Sequence, residues 1–532
     1  MSQMLKSSGA MGTATLTSRV LGMVREMVYA NFMGTSEVAG AFKFAFQIPN
    51  LFRRLLGEGA LTVAFIPIFK IKEKTAGEVE MWRAANSVIS GLVVAAAAII
   101  GLAMLGISLA LSVHPFEENT RLMLQLLRLM FPYMLLVCLT AIFMGMLNAR
   151  GHFFIPAMGT AVLNVVMIAS VLFLAPHLGQ TPDTQIFGLA IGVLLAGLAQ
   201  AAFQLPNLRR EGFRYEWVSP WRNDTVKEVV RKMVPGMMGV AAFQLNVVLT
   251  NLVAFRVDGQ IVASFDYAVR LMELPQGVFG ISLATYLLPT LSGLAAEKKY
   301  PEFRATLGQG LGYLIFVNLI ASVLFVTLAE PIVRLIFERG QFGIDSTQRA
   351  ALALACLSPG LLAFSMVNIL ARAFYALGDT QTPMKISSVC LGLNLVLVFI
   401  LIWPLREIKI GETKIHSALA FMGVANTLSA ALNVSLLFYV LRRKLGKLEL
   451  AYLRQTLYPL IASALLAGIV AWTLGRVWEK QLGHSSLPLK LGAVFAPMVA
   501  ATLAYGLATT WAKVGHAQEI AGLILGKFKR PR

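Results

Sequence analysis

The sequence TSRVLGMVRE, residues 17–26, lies in the first long apolar segment of the chain and contains Arg19, Arg25 and Glu26. A charge at the centre of a bilayer costs about 2.5–3.5 kcal/mol on insertion scales. Charged side chains at that depth therefore face a protein interior or a water-filled cavity rather than lipid. This stretch predicts a bundle of membrane-spanning helices with a polar site inside it.

The composition of the whole chain is typical of a polytopic membrane protein. Of 532 residues, 57% are hydrophobic and 14% are charged, and the mean hydropathy is +0.70, far outside the range of soluble globular proteins. The formal charge is +19, but the basic residues lie mainly in short loops between apolar segments. Because they do not form an amphipathic face with interleaved aromatic residues, we expect no nucleic-acid partner.

The sequence contains no pattern typical of a metal site or a bound cofactor. Its three cysteines lie far apart within apolar segments, without the spacing of metal ligands. Its six histidines form no H-E-x-x-H pattern, and there is no G-x-x-x-x-G-K-[ST] loop to bind ATP. We therefore expect a transporter rather than an enzyme, without catalytic residues, metal or cofactor.

Apolar runs of about 20 residues, separated by charged and turn-forming residues, predict fourteen transmembrane helices. The first run is interrupted by charges and lacks a cleavage site, so we expect it to be retained rather than removed as a signal peptide. We predict an all-α integral membrane protein, with spans near residues 13–35, 39–69, 85–112, 122–148, 153–176, 186–206, 230–256, 261–293, 305–329, 350–376, 381–404, 417–441, 456–478 and 487–512.

Loop charge predicts the orientation of the chain. The N-terminus, the even-numbered junctions between spans and the C-terminal tail contain most of the lysine and arginine outside the spans, whereas residues 36–38 and 177–185 contain none. Because basic loops stay in the cytoplasm, both termini are predicted to be cytoplasmic. Residues 405–416, which contain three basic side chains in a junction of the opposite side, are an exception to this pattern.

An internal repeat appears when the fourth and tenth spans are compared at a shift of 227 residues (359 minus 132). Six spans per copy is an even number, so the two copies share an orientation and are predicted to be related by a pseudo-two-fold axis along the membrane normal. The matched pairs at this shift are Pro132 and Pro359, Ala149 and Ala376, Gly151 and Gly378, and Pro156 and Pro383. In the second and eighth spans, Pro49 corresponds to Pro275 at a shift of 226 (275 minus 49).

The repeat predicts three domains. They are an N-lobe at residues 1–220 with six spans, a C-lobe at 221–445 with six more, and residues 446–532 with the last two spans and a basic cytoplasmic tail. The last two spans lie outside the repeat. They form either a packing appendage or a hydrophobic groove for a lipid tail.

The charges left inside the predicted spans are mainly positive. Arginine suits a phosphate, because its planar guanidinium makes bidentate, charge-assisted hydrogen bonds and stays protonated. The alternative is internal ion pairing. Arg54 and Glu58 are spaced i,i+4, and Arg270 has Asp266 and Glu273 on the same helical face. The intramembrane charges are Arg19, Arg25, Glu26, Lys43, Arg53, Arg54, Glu58, Arg128, Asp266, Arg270, Glu273 and Arg372.

Two features bear on how these side chains converge. Arg19 and Arg25 are six residues apart, which separates them by about 120° around a regular helix. They converge only if the helix bends, and Gly22 between them permits a bend. Prolines inside other spans, including Pro49 beside Asn50, break backbone hydrogen bonds and either allow hinging or make static kinks.

Four groups of residues match motifs of a known family. They are Ser18-Arg19-Val20-Leu21-Gly22 with Arg25; Ile48-Pro49-Asn50-Leu51-Phe52-Arg53-Arg54 with Glu58-Gly59-Ala60; Tyr267-Ala268 with Arg270-Leu271-Met272-Glu273; and Ala373-Phe374-Tyr375-Ala376 with Asp379 and Thr382-Pro383. Together they resemble the MurJ (MviN) lipid II flippases of the multidrug/oligosaccharidyl-lipid/polysaccharide exporter superfamily. The resemblance covers essentially the whole chain.

The resemblance implies movement of lipid II, the undecaprenyl-diphosphate-linked peptidoglycan precursor, from the cytoplasmic to the periplasmic leaflet of the bacterial inner membrane. It implies alternating access, with the diphosphate bound in a central cavity by Arg19, Arg25, Arg53 and Arg270, to which we add Arg54. It also implies that the last two spans form a groove for the polyprenyl tail. The supporting or gating residues are expected to be Ser18, Gly22, Asn50, Glu58, Asp266 and Glu273.

Transport in this family implies an energy source other than ATP bound to the chain. Coupling to the membrane potential or to a cation of unknown identity is expected, and Asp379 is one candidate ion ligand. The alternative for Asp379 is a helix cap before Thr382. We expect the chain to act as a monomer and allow for its association with cell-wall synthesis proteins.

Rival functions come from other classes. A drug/cation antiporter of the same superfamily is expected to use carboxylates in its cavity, and the excess of arginine argues against it. A membrane glycosyltransferase needs a catalytic acid in a sizeable extracytoplasmic loop, and the loops here are short. A flippase for another polyprenyl-diphosphate glycan, such as O-antigen or capsule, stays open because the head-group chemistry is the same.

The chain departs from the family pattern at two positions. The family commonly has an aspartate where this chain has Gly40, before Ala41-Phe42, and another where it has Val269, directly before Arg270. Both carboxylates are missing together. We hypothesise that Asp266, one helical turn before Arg270, substitutes for the second acid.

Overall fold

The computed structural model describes residues 2–55, 61–221, 223–407, 411–446, 451–519 and 522. These residues form an all-helical protein without a strand. The helices are α1 (Ser2–Met33), α2 (Glu37–Phe52), α3 (Leu61–Val113), α4 (Glu118–Met130), α5 (Tyr133–Ala149), α6 (Phe154–Ala169), α7 (Pro182–Arg210), α8 (Asp224–Val257), α9 (Gly259–Pro275), α10 (Ser282–Ala296), α11 (Tyr300–Thr327), α12 (Ala329–Phe337), α13 (Ile344–Leu357), α14 (Gly360–Ala376), α15 (Gln381–Ile402), α16 (Gly411–Leu445), α17 (Ala451–Gln481) and α18 (Leu487–Trp511).

The helices are those of a multi-pass membrane protein. Within the described ranges, nine helical segments are long and apolar enough to cross a membrane, and the count rises to eleven if the bent pairs α4–α5 and α13–α14 are each taken as one span. The described parts of all fourteen predicted spans fall mainly on helix, with breaks of one or two residues at 34–35, 131–132, 153, 328, 358–359 and 512. The number of fourteen crossings and the symmetry between lobes stay predictions.

Positions matched by the internal repeat adopt the same local structure. α4 and α5 meet at a bend of 42°, and α13 and α14 meet at a bend of 49°. Pro132 and Pro359 lie at these bends, directly before α5 and α14, where proline cannot donate a helical hydrogen bond. After each second helix the chain turns at a glycine with positive φ, Gly151 at +90° and Gly378 at +76°. The repeat therefore extends from sequence to backbone geometry.

The structure differs from the prediction in two connecting segments. Residues 70–84 were predicted as a junction, yet α3 continues through them and is interrupted by Gly77 at φ +84°, a conformation that favours glycine. Residues 330–349, also a predicted junction, contain the short helix α12. Hydropathy misses both helical stretches because their charged side chains resemble those of loops.

The chain folds into two compact units. One comprises residues 1–263 with 339–341, and the other comprises residues 264–338 with 342–532. The first unit has an aromatic core that includes Phe65, Phe69, Trp82, Phe143 and Phe213. The second has an aliphatic core built from α10, α11, α14 and α16. In the second unit, helix α17 packs on α18 and on α11. These units are defined by contacts, so the lobe boundaries 1–220, 221–445 and 446–532 stay a prediction.

In the first unit, one arginine joins α3 to the ends of α5 and α7. Arg150, just after α5, lies 2.5 Å from Glu73 of α3, 3.0 Å from Glu78 of α3 and 2.7 Å from Glu211 after α7. His152 lies 2.8 Å from the same Glu211. The three junctions joined here are those predicted to share one side of the membrane. Hydrogen bonds from His152 and from Arg150 hold the pKa of Glu211 below its ordinary value.

In the second unit, another buried arginine joins helices through ion pairs. Arg334 of α12 pairs with Glu330, lies 3.4 Å from Glu338 and lies 2.9 Å from Glu479 of α17. Glu338 in turn lies 3.1 Å from Lys490 of α18. The Arg334 side chain is buried, so these partners are needed to compensate its lost hydration. They attach the last two helices to the segment between α11 and α13.

We predict that Arg150→Gln lowers the free energy of unfolding by about 1–3 kcal/mol, because three carboxylates lose a charged hydrogen-bond donor. Arg83→Gln is the matched control. Arg83 pairs only with Glu80, and both side chains are highly exposed, so its loss is worth about 0–1 kcal/mol. Thermal unfolding of the purified proteins measures both.

The effect of Arg150→Gln has a defined pH dependence. The pKa of Glu211 is lower in the folded chain than its ordinary value of 4.5, so its stabilisation is present above pH 4.5 and is lost as the pH falls through the lowered pKa. The difference in melting temperature between wild type and variant should shrink as the pH falls through the lowered pKa of Glu211. A difference in melting temperature that grows as the pH falls would contradict the pairing of Arg150 with an ionised Glu211.

Candidate functional site

The Arg25 side chain is held by a polar cluster between α1, α6 and α2. Its Nη1 donates to Asn164 Oδ1 at 3.0 Å, and its Nη2 donates to Glu26 Oε1 at 2.6 Å. The guanidinium carbon lies 5.6 Å from the centroid of the Tyr29 ring. Lys43 Nζ lies 3.7 Å from Glu26 Oε2, and Glu26 is only 4% exposed. In these contacts one carboxylate serves two cations.

Asn164 is a candidate site residue that the sequence motifs do not indicate. It accepts from Arg25, and its own Nδ2 donates to the Ser18 carbonyl at 3.2 Å. A Cβ at Gly22 would lie 3.6 Å from the Asn164 Nδ2, an ordinary van der Waals contact, so the packing of α1 on α6 does not require glycine here. Ser18 adds a hydroxyl contact of 2.6 Å to Thr160 of α6. A buried asparagine in an otherwise apolar span is the sequence signal that would have found it.

Arg19 does not share this cluster. It lies on an exposed face of α1, whereas Arg25 is half-buried against α6. Since α1 is one helix from Ser2 to Met33, the two arginines diverge as their six-residue spacing predicts. Convergence of the two arginines at one ligand, through a bend at Gly22, stays a prediction.

Arg53 and Arg54 lie in a widened helical turn after α2. Residues 53–55 are π-helical, four residues after Pro49, which cannot donate to the helix. The Arg53 Nε donates to Asn50 Oδ1 at 2.8 Å, and the Arg54 Nη1 lies 3.5 Å from Gln244 Oε1 of α8. Asn50 thus contacts Arg53 directly, and its role as a supporting or gating residue stays a prediction. Glu58, the predicted partner of Arg54, lies outside the described residues.

In the second unit Arg270 lies between two carboxylates of its own helix, α9. Its Nη1 donates to Glu273 Oε2 at 3.1 Å, and its Nη2 lies 3.8 Å from Asp266 Oδ1. All three side chains are partly exposed. The intrahelical ion pairing that the spacing predicts is therefore formed. An anion that binds Arg270 must displace or share these carboxylates.

Gly40, where the family commonly has an aspartate, has no room for any side chain. A Cβ at this position would lie 2.0 Å from the Gly259 carbonyl oxygen and 2.9 Å from the Gly259 Cα. Gly259 is itself crowded, since its own Cβ would lie 2.8 Å from Asn119 Nδ2. Both residues belong to the first unit. The missing carboxylate is replaced by direct contact between two backbones.

Asp379 lies in the turn between α14 and α15. Its Oδ1 accepts from the Thr382 backbone N–H at 3.0 Å, its Oδ2 accepts from the Thr382 hydroxyl at 2.7 Å, and it pairs with Lys444. The Lys444 hydrogen bond, with those from Thr382, lowers the Asp379 pKa to about 2. These are the contacts of a helix cap. Within the described ranges, no group of three or more His, Cys, Asp or Glu side chains is placed to hold a metal ion.

We predict that Gly40→Asp and Gly40→Ala both lower the free energy of unfolding, by about 1–3 kcal/mol for the added Cβ, because the Gly259 backbone must move. Gly101→Ala is the matched control, since a Cβ there meets nothing within 4 Å and alanine favours the helix. Thermal unfolding of the three variants tests this. Normal stability of Gly40→Asp would show that the contact with Gly259 tolerates a side chain.

Comparison with known proteins gives a consistent result. A family model described as "Lipid II flippase MurJ" matches residues 29–492. The "Probable lipid II flippase MurJ" of Vibrio cholerae serotype O1 is 32% identical over 491 residues, which are 89% of this chain and 89% of that protein.

Solved structures agree at the level of the fold. One described as "Lipid II flippase MurJ, inward closed conformation" has a TM-score of 0.71 at 21% identity and covers 96% of this chain and 99% of its own. An inward-facing multidrug resistance MATE family transporter of the MOP superfamily has a TM-score of 0.62 at 14% identity, with 81% and 96% covered. The match of the family model over most of the length, together with the Vibrio cholerae relative, shows that this chain belongs to the MurJ family of lipid II flippases, which are transporters and not enzymes.

Proposed function

We propose that the chain is a flippase that translocates lipid II from the cytoplasmic to the periplasmic leaflet of the bacterial inner membrane. Fourteen spans, two six-helix lobes at 1–220 and 221–445, and cytoplasmic termini are part of this proposal. The observation that carries it is the Arg25 cluster, in which Asn164 and Glu26 orient a guanidinium on a helix that we place in the membrane. Such a group is suited to an anionic head group.

The diphosphate is the part of the substrate that these residues recognise. Each phosphate presents oxygens that a guanidinium can bind through two parallel hydrogen bonds. The binding residues in this proposal are Arg19, Arg25, Arg53, Arg54 and Arg270. Asn164 and Asn50 hold Arg25 and Arg53 in fixed geometries, which lowers the entropy lost when a ligand is bound.

Release requires that the arginines do not hold the diphosphate too tightly. Asp266 and Glu273 neutralise Arg270 in this conformation and compete with phosphate for its guanidinium. We propose that this competition gates Arg270, with Asp266 acting in place of the acid that the family has at the position of Val269. Alternating access then exposes the site to either side as the lobes rock about their proline bends.

The polyprenyl tail is proposed to stay in the lipid phase, along α17 and α18. Both helices expose apolar side chains on their outer faces, among them Leu465, Ile469, Leu503 and Leu507. A tail of repeated isoprene units gains contact there without entering a polar cavity. The driving force is proposed to be the membrane potential or a coupled cation, acting on a monomer that is open to association with cell-wall synthesis proteins.

We predict that this chain restores growth when a bacterium's own lipid II flippase is depleted, and that Arg25→Ala and Arg270→Ala abolish the rescue, because each removes a guanidinium proposed to bind the diphosphate. Labelled-precursor access to the periplasmic face measures transport directly. Arg83→Gln, which changes an exposed arginine paired only with Glu80, is the matched control and should rescue fully.

The same assay separates the alternatives. Failure of the wild-type chain despite normal membrane insertion would favour another polyprenyl-diphosphate glycan, such as O-antigen or capsule. Rescue by both alanine variants would contradict the anion site. The gating role of Asp266 is wrong if Asp266→Asn leaves transport unchanged while Arg270→Ala abolishes it.

A separate prediction concerns Asp379. With a pKa of about 2, its carboxylate takes up no proton near neutral pH, and its oxygens are occupied by Thr382 and Lys444. We therefore expect Asp379→Asn, which keeps an acceptor for Thr382, to retain transport. Asp379→Ala should lower stability by about 0.5–2 kcal/mol through loss of the cap. Loss of transport in a normally stable Asp379→Asn protein would instead favour a role in ion coupling.

A further inference from the structure

The segment of residues 212–221, between α7 and α8, runs without helical structure along the start of the apolar part of α3. Asn86 Nδ2 donates to the Arg214 carbonyl at 2.9 Å, and the Val218 N–H lies 3.4 Å from Ser90 Oγ. The Tyr215 hydroxyl lies 3.3 Å from the same Ser90 hydroxyl. The segment is therefore attached to α3 and is not a free loop.

One aromatic side chain anchors the segment in the core. Phe213 is buried, with its ring centroid 5.5 Å from that of Trp82 and 6.1 Å from that of Phe143. At the other end, a Cβ on Gly91 would lie 3.4 Å from Pro220. The segment thus contacts α3 from Trp82 to Gly91. This anchoring holds the side chains that point away from α3 in a fixed place.

The contacts on α3 set the depth of the segment in the membrane. Residues 86–91 are the first of the predicted third span, residues 85–112, and they rise by about 7 Å along the helix axis. The interfacial region on each side of the hydrocarbon core is about 5–7 Å thick. The segment therefore lies at the level of the lipid head groups.

The outward side chains match that level. Trp217 is 59% exposed and Trp221 is 72% exposed, and tryptophan is enriched at membrane interfaces because its ring is apolar and its N–H is polar. Arg209, Arg210 and Arg214 are exposed beside them. Two acids, Glu211 and Glu216, lie within residues 209–221. Of these, Glu211 is bound by Arg150 and His152. The described surface around the segment therefore combines aromatic rings with excess positive charge.

We propose that residues 209–221 form a binding site for the head groups of anionic phospholipids, with Trp217 and Trp221 in the interface and the three arginines on lipid phosphates. The leaflet concerned is the cytoplasmic one, and only this detail rests on the orientation proposed above. The site anchors the connection between α7 and α8 to the bilayer surface. It is separate from the arginines proposed to bind the transported diphosphate.

Tryptophan fluorescence of the full-length protein in vesicles tests the location. The difference in tryptophan emission between the wild type and the Trp217→Phe, Trp221→Phe double variant reports on these two rings. We expect that emission to be quenched by phosphatidylcholine brominated close to the head group, and much less by phosphatidylcholine brominated near the chain ends. Quenching by soluble acrylamide without quenching by either brominated lipid would place the rings in water or under another protein and overturn the proposal.

Lipid selectivity is tested with the same two rings. At equal mole fraction in a phosphatidylcholine background, brominated phosphatidylglycerol should quench them at least about fivefold more effectively than brominated phosphatidylcholine, the enrichment expected for one arginine near an anionic surface. Arg209→Gln, Arg210→Gln and Arg214→Gln together should remove most of this preference and leave quenching by phosphatidylcholine unchanged. The matched control is Arg442→Gln with Arg443→Gln, an exposed adjacent pair at the end of α16, which should leave it intact.

The outcomes are distinct. Equal quenching by the two brominated lipids, or a preference that survives substitution of Arg209, Arg210 and Arg214 together, overturns the recognition of anionic lipid. A preference that falls with added salt supports it, since exposed charges are screened. No step of the measurement involves transport, so failure here leaves the flippase proposal standing, and failure of the growth rescue leaves this site standing.

Discussion

Placing a guanidinium at the depth of a lipid bilayer is tolerable only when polar partners replace the water that it loses. In the first unit, Arg25 has Asn164 and Glu26, and Arg53 has Asn50. In the second, Arg270 has Asp266 and Glu273. These partners determine where each arginine points. An anionic ligand would have to compete with the Glu26 carboxylate at Arg25 and with the Asp266 and Glu273 carboxylates at Arg270.

The remaining architecture combines ion-paired helix contacts with proline bends. Arg150 joins the interior of α3 to the ends of α5 and α7 through charged contacts of 3.0 Å or less, and Arg334 attaches α12 to α17. Elsewhere, α4–α5 and α13–α14 bend at prolines, where the backbone lacks a hydrogen bond. Bending a helix at a proline disturbs fewer hydrogen bonds than bending it elsewhere. The fold therefore has defined places at which a transport cycle can change its shape.

The departures from the family pattern have a structural consequence. At Gly40 the carboxylate is absent because the Gly259 backbone occupies the space of a side chain. At Val269 it is absent next to an arginine that already has two acids within one turn. Both carboxylates that contact Arg270 lie on α9 itself. At the start of α2, close backbone contact takes the place of the side chain.

Local patterns determined much of this protein: the long apolar runs predict the helices, the shift of 227 residues (359 minus 132) predicts matching bends and glycine turns, and the i,i+3 and i,i+4 spacings predict the pairing of Arg270. Only the tertiary structure identified Asn164, Gln244 and Gly259 as neighbours of Arg25, Arg54 and Gly40, because those partners are separated by 139 residues, by 190 residues and by 219 residues (259 minus 40). Helical periodicity shows which face of a helix a residue occupies. It does not show which other helix packs against that face.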